Sequence, residues 1–131
     1  MASQADLARE LLGLARDDEA AARALLESDA VTDAIVGFHC QQAVEKALKA
    51  VLAASRADFP FTHDLGGLTE LCADAGTTVP TELEDVDRLT PYGARLRYGG
   101  PDPGTVDRRT AQRWAAAAVA WATTQVEARG E

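Results

Sequence analysis

Four polar side chains, His39, Gln42, Lys46 and Lys49, follow one another at spacings of three and four. On a helix that spacing stacks them along one stripe. A histidine there could move a proton near neutral pH, and the lysines and the amide could hold an anion. Phe38 and Ile35 lie among them, so the stripe reads as a semi-buried polar cluster or a partner-facing surface. The other reading is a solvated face tied by pairs such as Gln42 with Lys46 and Glu45 with Lys49. A second group is made of arginines. Residues 70 to 87 carry six acids and no base, whereas residues 88 to 113 carry Arg88, Arg95, Arg97, Arg108, Arg109 and Arg113 against two acids. Arginine holds phosphate through a forked pair of bonds, and a neighbouring ring can stack a base. Tyr92 stands one turn from Arg88 and Arg95, and Tyr98 follows Arg97. Arg108 and Arg109 fall in the first turn of the last helix, where the dipole disfavours cations and an anion or acidic partner would relieve them. The plainer reading pairs these arginines with the acidic stretch on the surface. His63-Asp64 could be catalytic, but its place favours a capping turn. No phosphate loop, nucleophile elbow, zinc helix or paired-carboxylate spacing is present.

The elements that must position these groups are helices. The chain has 131 residues, the size of one domain, and 47% are hydrophobic. Of these, 27 are Ala, 14 Leu, 9 Val and one Ile. Alanine favours helix, and the β-branched and aromatic residues that build strands are scarce. The sequence therefore predicts an all-α, up-and-down antiparallel bundle of four or five helices in a single domain, residues 1–131.

Ser3 caps a first helix with Asp6, with Leu7, Leu11, Leu14, Ala21 and Leu25 as its apolar stripe, ending near Ser28-Asp29. Asp18 falls inside that stripe, as an edge carboxylate or an internal salt bridge. A second helix spans about residues 30–55, with Val36, Ala43, Ala47, Ala50 and Val51 inward. A third, opened by Thr62 or Asp64, carries Leu65, Leu68, Leu71 and Cys72 and stops at Gly76. Pro80 and Thr81 begin a fourth, kinked or divided by Pro91 and Gly93. A loop follows over residues 99–104, and Thr105 caps the last helix, which shows Trp114, Ala118, Trp121 and Gln125 on one face.

The net charge of −8 argues against whole-surface binding to nucleic acid or anionic membrane but leaves room for a local basic site. Cys40 and Cys72 have neither disulfide nor metal spacing and read as buried thiols of a reducing compartment. The polar N-terminus is no signal peptide, and no run would span a bilayer, which points to the cytoplasm. No metal and no cofactor is called for.

The run FHCQQAVEKALKAVLAA, then FTHDLGGLTELC, a Pro-led acidic helix and YGARLRYGG, resembles a prokaryotic HEPN domain (higher eukaryotes and prokaryotes nucleotide-binding domain) over residues 5 to 126. Phe38, His39, Gln41, Gln42, Ala43, Glu45, Lys46, Lys49 and Ala50 carry the helix-two signature. His63-Asp64-Leu65 and Arg97-Tyr98 stand at the family's histidine–leucine turn and arginine–tyrosine helix end. The resemblance implies a helical bundle that forms homodimers. It also implies a minimal nucleotidyltransferase partner in a two-component or toxin–antitoxin-like pair. One branch of that family cuts RNA without metal, using an arginine, four to six residues, then a histidine. The last histidine here is His63, so no later arginine has that companion.

The expected function is accordingly nucleotide or RNA binding beside a nucleotidyltransferase. Arg95, Arg97 and Tyr98 would contact phosphate and base, with Lys46, Lys49, Gln42 and His39 in support. The alternatives are a metal-independent ribonuclease in which His39 or His63 replaces the missing histidine, and a purely structural dimerisation or interaction module using the polar stripe and the Trp114/Trp121 face.

Overall fold

The computed structural model describes residues 3–93 and 106–129, and every described element is helical. The fold is the all-α bundle that the alanine-rich composition predicts.

Helix α1 spans Gln4–Leu25. Ser3 Oγ accepts from the Asp6 amide and the Asp6 carboxylate accepts from the Ser3 amide, each at 3.1 Å. This reciprocal box occupies two otherwise orphaned donors and contributes about 1 kcal/mol. The buried face of α1 is not the expected leucine stripe. It is Ala8, Leu12, Ala15, Glu19 and Ala22, rotated by about a residue. Leu7 and Leu14 stay 37% and 42% exposed. Alanine decides the face: Ala8, Ala15 and Ala22 are buried in a helix whose main neighbour is α2, and short side chains at a contact let two helix axes approach closely.

Helix α2, Asp33–Ala54, starts at Thr32, whose hydroxyl accepts from the Ile35 amide. Val36, Ala43, Ala47, Ala50 and Val51 are fully buried as expected, but so are Val44, Leu48 and Leu52 on other sides. A helix that is apolar nearly all round is a central one. Helix α3, Leu65–Asp74, is capped by Asp64, which accepts from the Gly67 amide at 3.1 Å. It closes at Gly76, where a φ of 88° needs a residue without Cβ.

The expected fourth helix begins instead as two short 3-10 turns, Thr81–Leu83 and Val86–Leu89. Leu83, Val86, Leu89 and Tyr92 are all buried, and their spacing is three residues. A 3-10 turn repeats every three residues and keeps such a row on one edge, whereas an α-helix would rotate it away. Residues 90–93 form the described part of α4. The expected loop over 99–104 lies outside the described residues, and so does Thr105, but the last helix starts at Arg108 and not at the expected Val106, so the cap falls to Asp107. Helix α5, Arg108–Arg129, is capped by Asp107, whose carboxylate accepts from the Thr110 amide at 2.9 Å. Its buried face is Ala111, Ala115, Ala118, Ala122 and Val126. Trp114 and Trp121 flank that face half-buried, and Trp121 Nε1 donates to the Thr78 carbonyl at 3.2 Å.

Cys40 and Cys72 are buried and unbridged. Desolvation pushes both thiols up to about 12, with the Glu19 charge adding at Cys40. No described helix is long and apolar enough to cross a membrane.

Candidate functional site

The polar stripe of α2 is a semi-buried network, not a solvated face. Its hub is Glu45, only 5% exposed. One carboxylate oxygen, Oε1, meets His63 Nδ1 at 2.6 Å and accepts from Gln41 Nε2 at 3.0 Å. The other, Oε2, accepts from Lys49 Nζ at 3.0 Å. Burial alone would raise the Glu45 pKa. The bonds from His63, Gln41 and Lys49, with the charge of Lys49, outweigh it and hold the group below the usual range. Glu45 is therefore an ionised acceptor, and the proton in its contact with His63 belongs to Nδ1. That leaves Nε2 of a half-exposed ring directed away from the hub. Asp64 caps α3 as the sequence suggests, and the same turn fixes His63 beside Glu45.

The network extends through Gln41, a fully buried side chain whose Oε1 accepts from Gln42 Nε2 at 2.7 Å. Gly93 of α4 sits against it: a Cβ there would lie 2.7 Å from the Gln41 amide carbon. One turn of α2 earlier, a Cβ on Gly37 would collide with the Tyr92 ring. Two glycines thus bring α4 onto the polar side of α2, because only a residue without Cβ permits that approach. The single sequence signal for this contact is a glycine inside each helical stretch.

A second cluster joins α1 to α2. Asp18 Oδ2 accepts from Lys46 Nζ at 2.6 Å, and Asp18 Oδ1 lies 3.3 Å from His39 Nδ1. Asp18 is the internal salt-bridge residue. Phe38 packs edge-on to the His39 ring at 5.5 Å. From His39 to Lys49 the strip runs about 15 Å along the helix. Lys46 and Lys49 each face a carboxylate, so the strip's fixed charges cancel. The chemistry on offer is two imidazoles, each set against an acid on Nδ1. That arrangement orients a histidine for proton transfer or for donating to a phosphate oxygen.

The arginines fare differently from one another. Arg95, Arg97 and Tyr98 lie outside the described residues. Tyr92 is not a stacking platform: it is 4% exposed, and its hydroxyl bonds the backbone of Val106. Arg88 stands 5.9 Å over the Trp114 ring. Arg108 is no anion site either. Its guanidinium donates to the carbonyls of Leu25, Leu26, Ser28 and Val31 and to the Asp33 carboxylate. The α1 C-terminus and its following turn supply the negative partner that the helix dipole called for. Arg109 meets Glu27 at 2.7 Å. A further buried network went unread in the sequence: Glu19, 7% exposed, accepts from Arg23 and from Gln112, and Cys40 Sγ reaches Gln112 at 4.0 Å. Among the described residues no group of three His, Cys, Asp or Glu side chains is placed to hold a metal ion.

A family model described as the HEPN domain matches residues 8–121 of this chain. No curated protein and no solved structure matches.

Proposed function

Because this chain belongs to the HEPN domain family, we propose that it binds a nucleotide or an RNA phosphate as the partner of a minimal nucleotidyltransferase. The pair would work as a two-component or toxin–antitoxin-like system in the cytoplasm, with this single-domain chain as a homodimer. The observation that carries this reading is the Glu45 hub beside Gly93. His63 and His39 present oriented rings on the edge of α2, and Arg95, Arg97 and Tyr98 follow Gly93 by two to five residues in the chain. Arginine supplies the net positive charge that the strip itself lacks, and Tyr98 supplies a ring for a base. Lys46, Lys49 and Gln42 act as supports, keeping Asp18, Glu45 and Gln41 in place. Titration with ATP, GTP and a short RNA, read as a shift in melting temperature, tests this. The expected result is a saturable rise that Arg95→Ala with Arg97→Ala reduces. The absence of any rise at millimolar ligand refutes it.

The Glu45–His63 pair specifically favours one second reading, a metal-independent ribonuclease. A buried carboxylate that holds Nδ1–H turns Nε2 outward as the ring's acceptor, which is the orientation a general base needs. Incubation of the pure protein with total RNA decides between the readings. Cleavage lost in His63→Ala supports the enzyme. Intact RNA, or cleavage that survives both His63→Ala and His39→Ala, removes it.

A further inference from the structure

At the far end of α2 the chain builds a second basic site that the polar strip does not involve. A cavity of about 30 Å³ opens where α1 begins and where α2 and α5 finish. Three arginines line it, one from each region: Arg9, Arg56 and Arg129. Its floor is apolar, with Ala8, Ala53 and Val126 all buried. Among the described residues no carboxylate lines it. In a chain of net charge −8 with 13 basic residues, three guanidinium groups at one small opening are a concentration of positive charge.

These arginines are lightly committed. Arg9 pairs with Asp6 at 2.6 Å, but both side chains are more than half exposed, so water competes for that bond. Arg129 makes one long bond, 3.3 Å, to the Thr77 hydroxyl. No hydrogen bond or ion pair involves the Arg56 side chain among the described residues.

The backbone adds an independent observation. Helix α2 ends in a Schellman motif: Ala57 N–H donates to the Leu52 carbonyl, and Arg56 N–H to the Ala53 carbonyl. Helix α3 ends in the same way, with Thr77 N–H to Cys72 and Gly76 N–H to Ala73. The position after the cap is left-handed in both, at φ 59° for Arg56 and 88° for Gly76. Glycine takes that conformation without penalty and arginine does not. Arg56 is the one described non-glycine residue with positive φ. Strained residues of this kind persist where the side chain has work to do. Helix dipoles would favour a cation at the ends of α2 and α5, but they account for neither an arginine in the left-handed seat nor Arg9 turned to the same opening.

We propose that Arg9, Arg56 and Arg129 form a binding site for one small oxyanion of the phosphate class, either free phosphate or a terminal phosphomonoester. The fork of a guanidinium matches two phosphate oxygens, and three such forks can surround one tetrahedral group. At about 30 Å³ the opening has no room for a sugar or a base, so the tetrahedral group would sit at its mouth among the three guanidinium groups. Recognition there is of charge and shape, not of sequence.

Isothermal titration of the full chain with inorganic phosphate, at ionic strength matched by chloride, tests the site. The variants are Arg56→Gly and Arg129→Gln, with Gly13→Ala, which touches neither this opening nor the polar strip, as the control. The expected result is saturable binding by the parent chain and by Gly13→Ala, and at least tenfold weaker binding by the other two. Arg56→Gly relieves the backbone, so its melting temperature without ligand stays level or rises, and lost binding cannot be put down to lost folding. Adenosine monophosphate against adenosine separates the sources. Tighter binding of the monophosphate than of phosphate, lost in Arg56→Gly, assigns a terminal phosphomonoester, and equal binding assigns free phosphate. Equal affinity in the parent and both arginine variants, or no saturable binding at millimolar phosphate, overturns the proposal.

Discussion

Replacing Arg108 by alanine should loosen the junction between the first two helices. One guanidinium there holds four carbonyls of the stretch from Leu25 to Val31, at 2.6 to 3.3 Å, and Asp33 at 2.6 Å. The Arg108 side chain is 19% exposed and Asp33 is 63% exposed, so the ion pair itself counts for little. The carbonyl bonds count for more. A bond from a charged donor contributes about 1.5 kcal/mol or somewhat more where water cannot replace it, and nearer 0.5 where it can. Nη1 meets three of the carbonyls with two N–H groups and Nη2 meets the fourth, so with the turn part-exposed three N–H groups contribute about 3 kcal/mol together. For a domain of this size that lowers the melting temperature by roughly 10 °C. Urea unfolding followed by the fluorescence of Trp114 and Trp121 reads the loss directly. Arg108→Lys should recover less than half of it, because an ammonium cannot span carbonyls on both sides of the turn. Two results would refute the reasoning. One is Arg108→Ala within about 0.5 kcal/mol of the parent. The other is unchanged stability with lost phosphate or RNA binding, which would return Arg108 to the anion site its sequence position suggests.

Other substitutions test the remaining contacts. Glu45→Gln leaves Lys49, Gln41 and His63 facing an amide that cannot satisfy three donors, and should cost about 2–4 kcal/mol in the same urea assay. The acid limb carries the matching sign. Glu45 has a lowered folded pKa, so its contribution is whole above the unfolded value near 4.5 and fades as pH falls through the folded one. Thermal melts across that range should therefore fall more steeply for the parent than for Glu45→Gln, and parallel curves would count against the hub. Gly37→Ala drives a methyl into the Tyr92 ring and should lose about 1–3 kcal/mol, whereas Gly13→Ala, where a Cβ meets nothing within 4 Å, should stabilise α1 by up to about 1 kcal/mol. Arg56→Gly should gain up to about 1 kcal/mol from the left-handed seat, as read by melting temperature.

Local chemistry made much of this molecule legible in its residues. The Ser3 box, the Asp64 cap and the Gly76 stop depend on a few neighbouring atoms, so residue type and spacing settle them. The helical class follows from alanine in the same way, and the α2 signature was enough to suggest the family. Periodicity misled where two faces of a helix were both credible. The leucines of α1 look like its core stripe, yet alanines take the inside of a helix whose main neighbour is α2, and that preference belongs to the pair of helices. The acidic stretch after Pro80 reads as a fourth helix until Leu83, Val86, Leu89 and Tyr92 must reach one core, which a three-residue repeat does better.

The site divides along the same line. His39, Gln42, Lys46 and Lys49 share a stripe because helix geometry demands it, and that much was written in the chain. That Lys46 faces Asp18 from 28 residues away, that His63 completes Glu45, and that Arg108 clamps carbonyls about 80 residues earlier are outcomes of packing. A charged group takes the partner that folding brings within hydrogen-bond reach, and sequence distance carries no information about that. Helical class, the caps of α1 and α3 and the charge inventory were therefore determined by the sequence alone. Which charges are spent inside the bundle, and which gather at its Arg56 end, was decided only when the helices closed on one another.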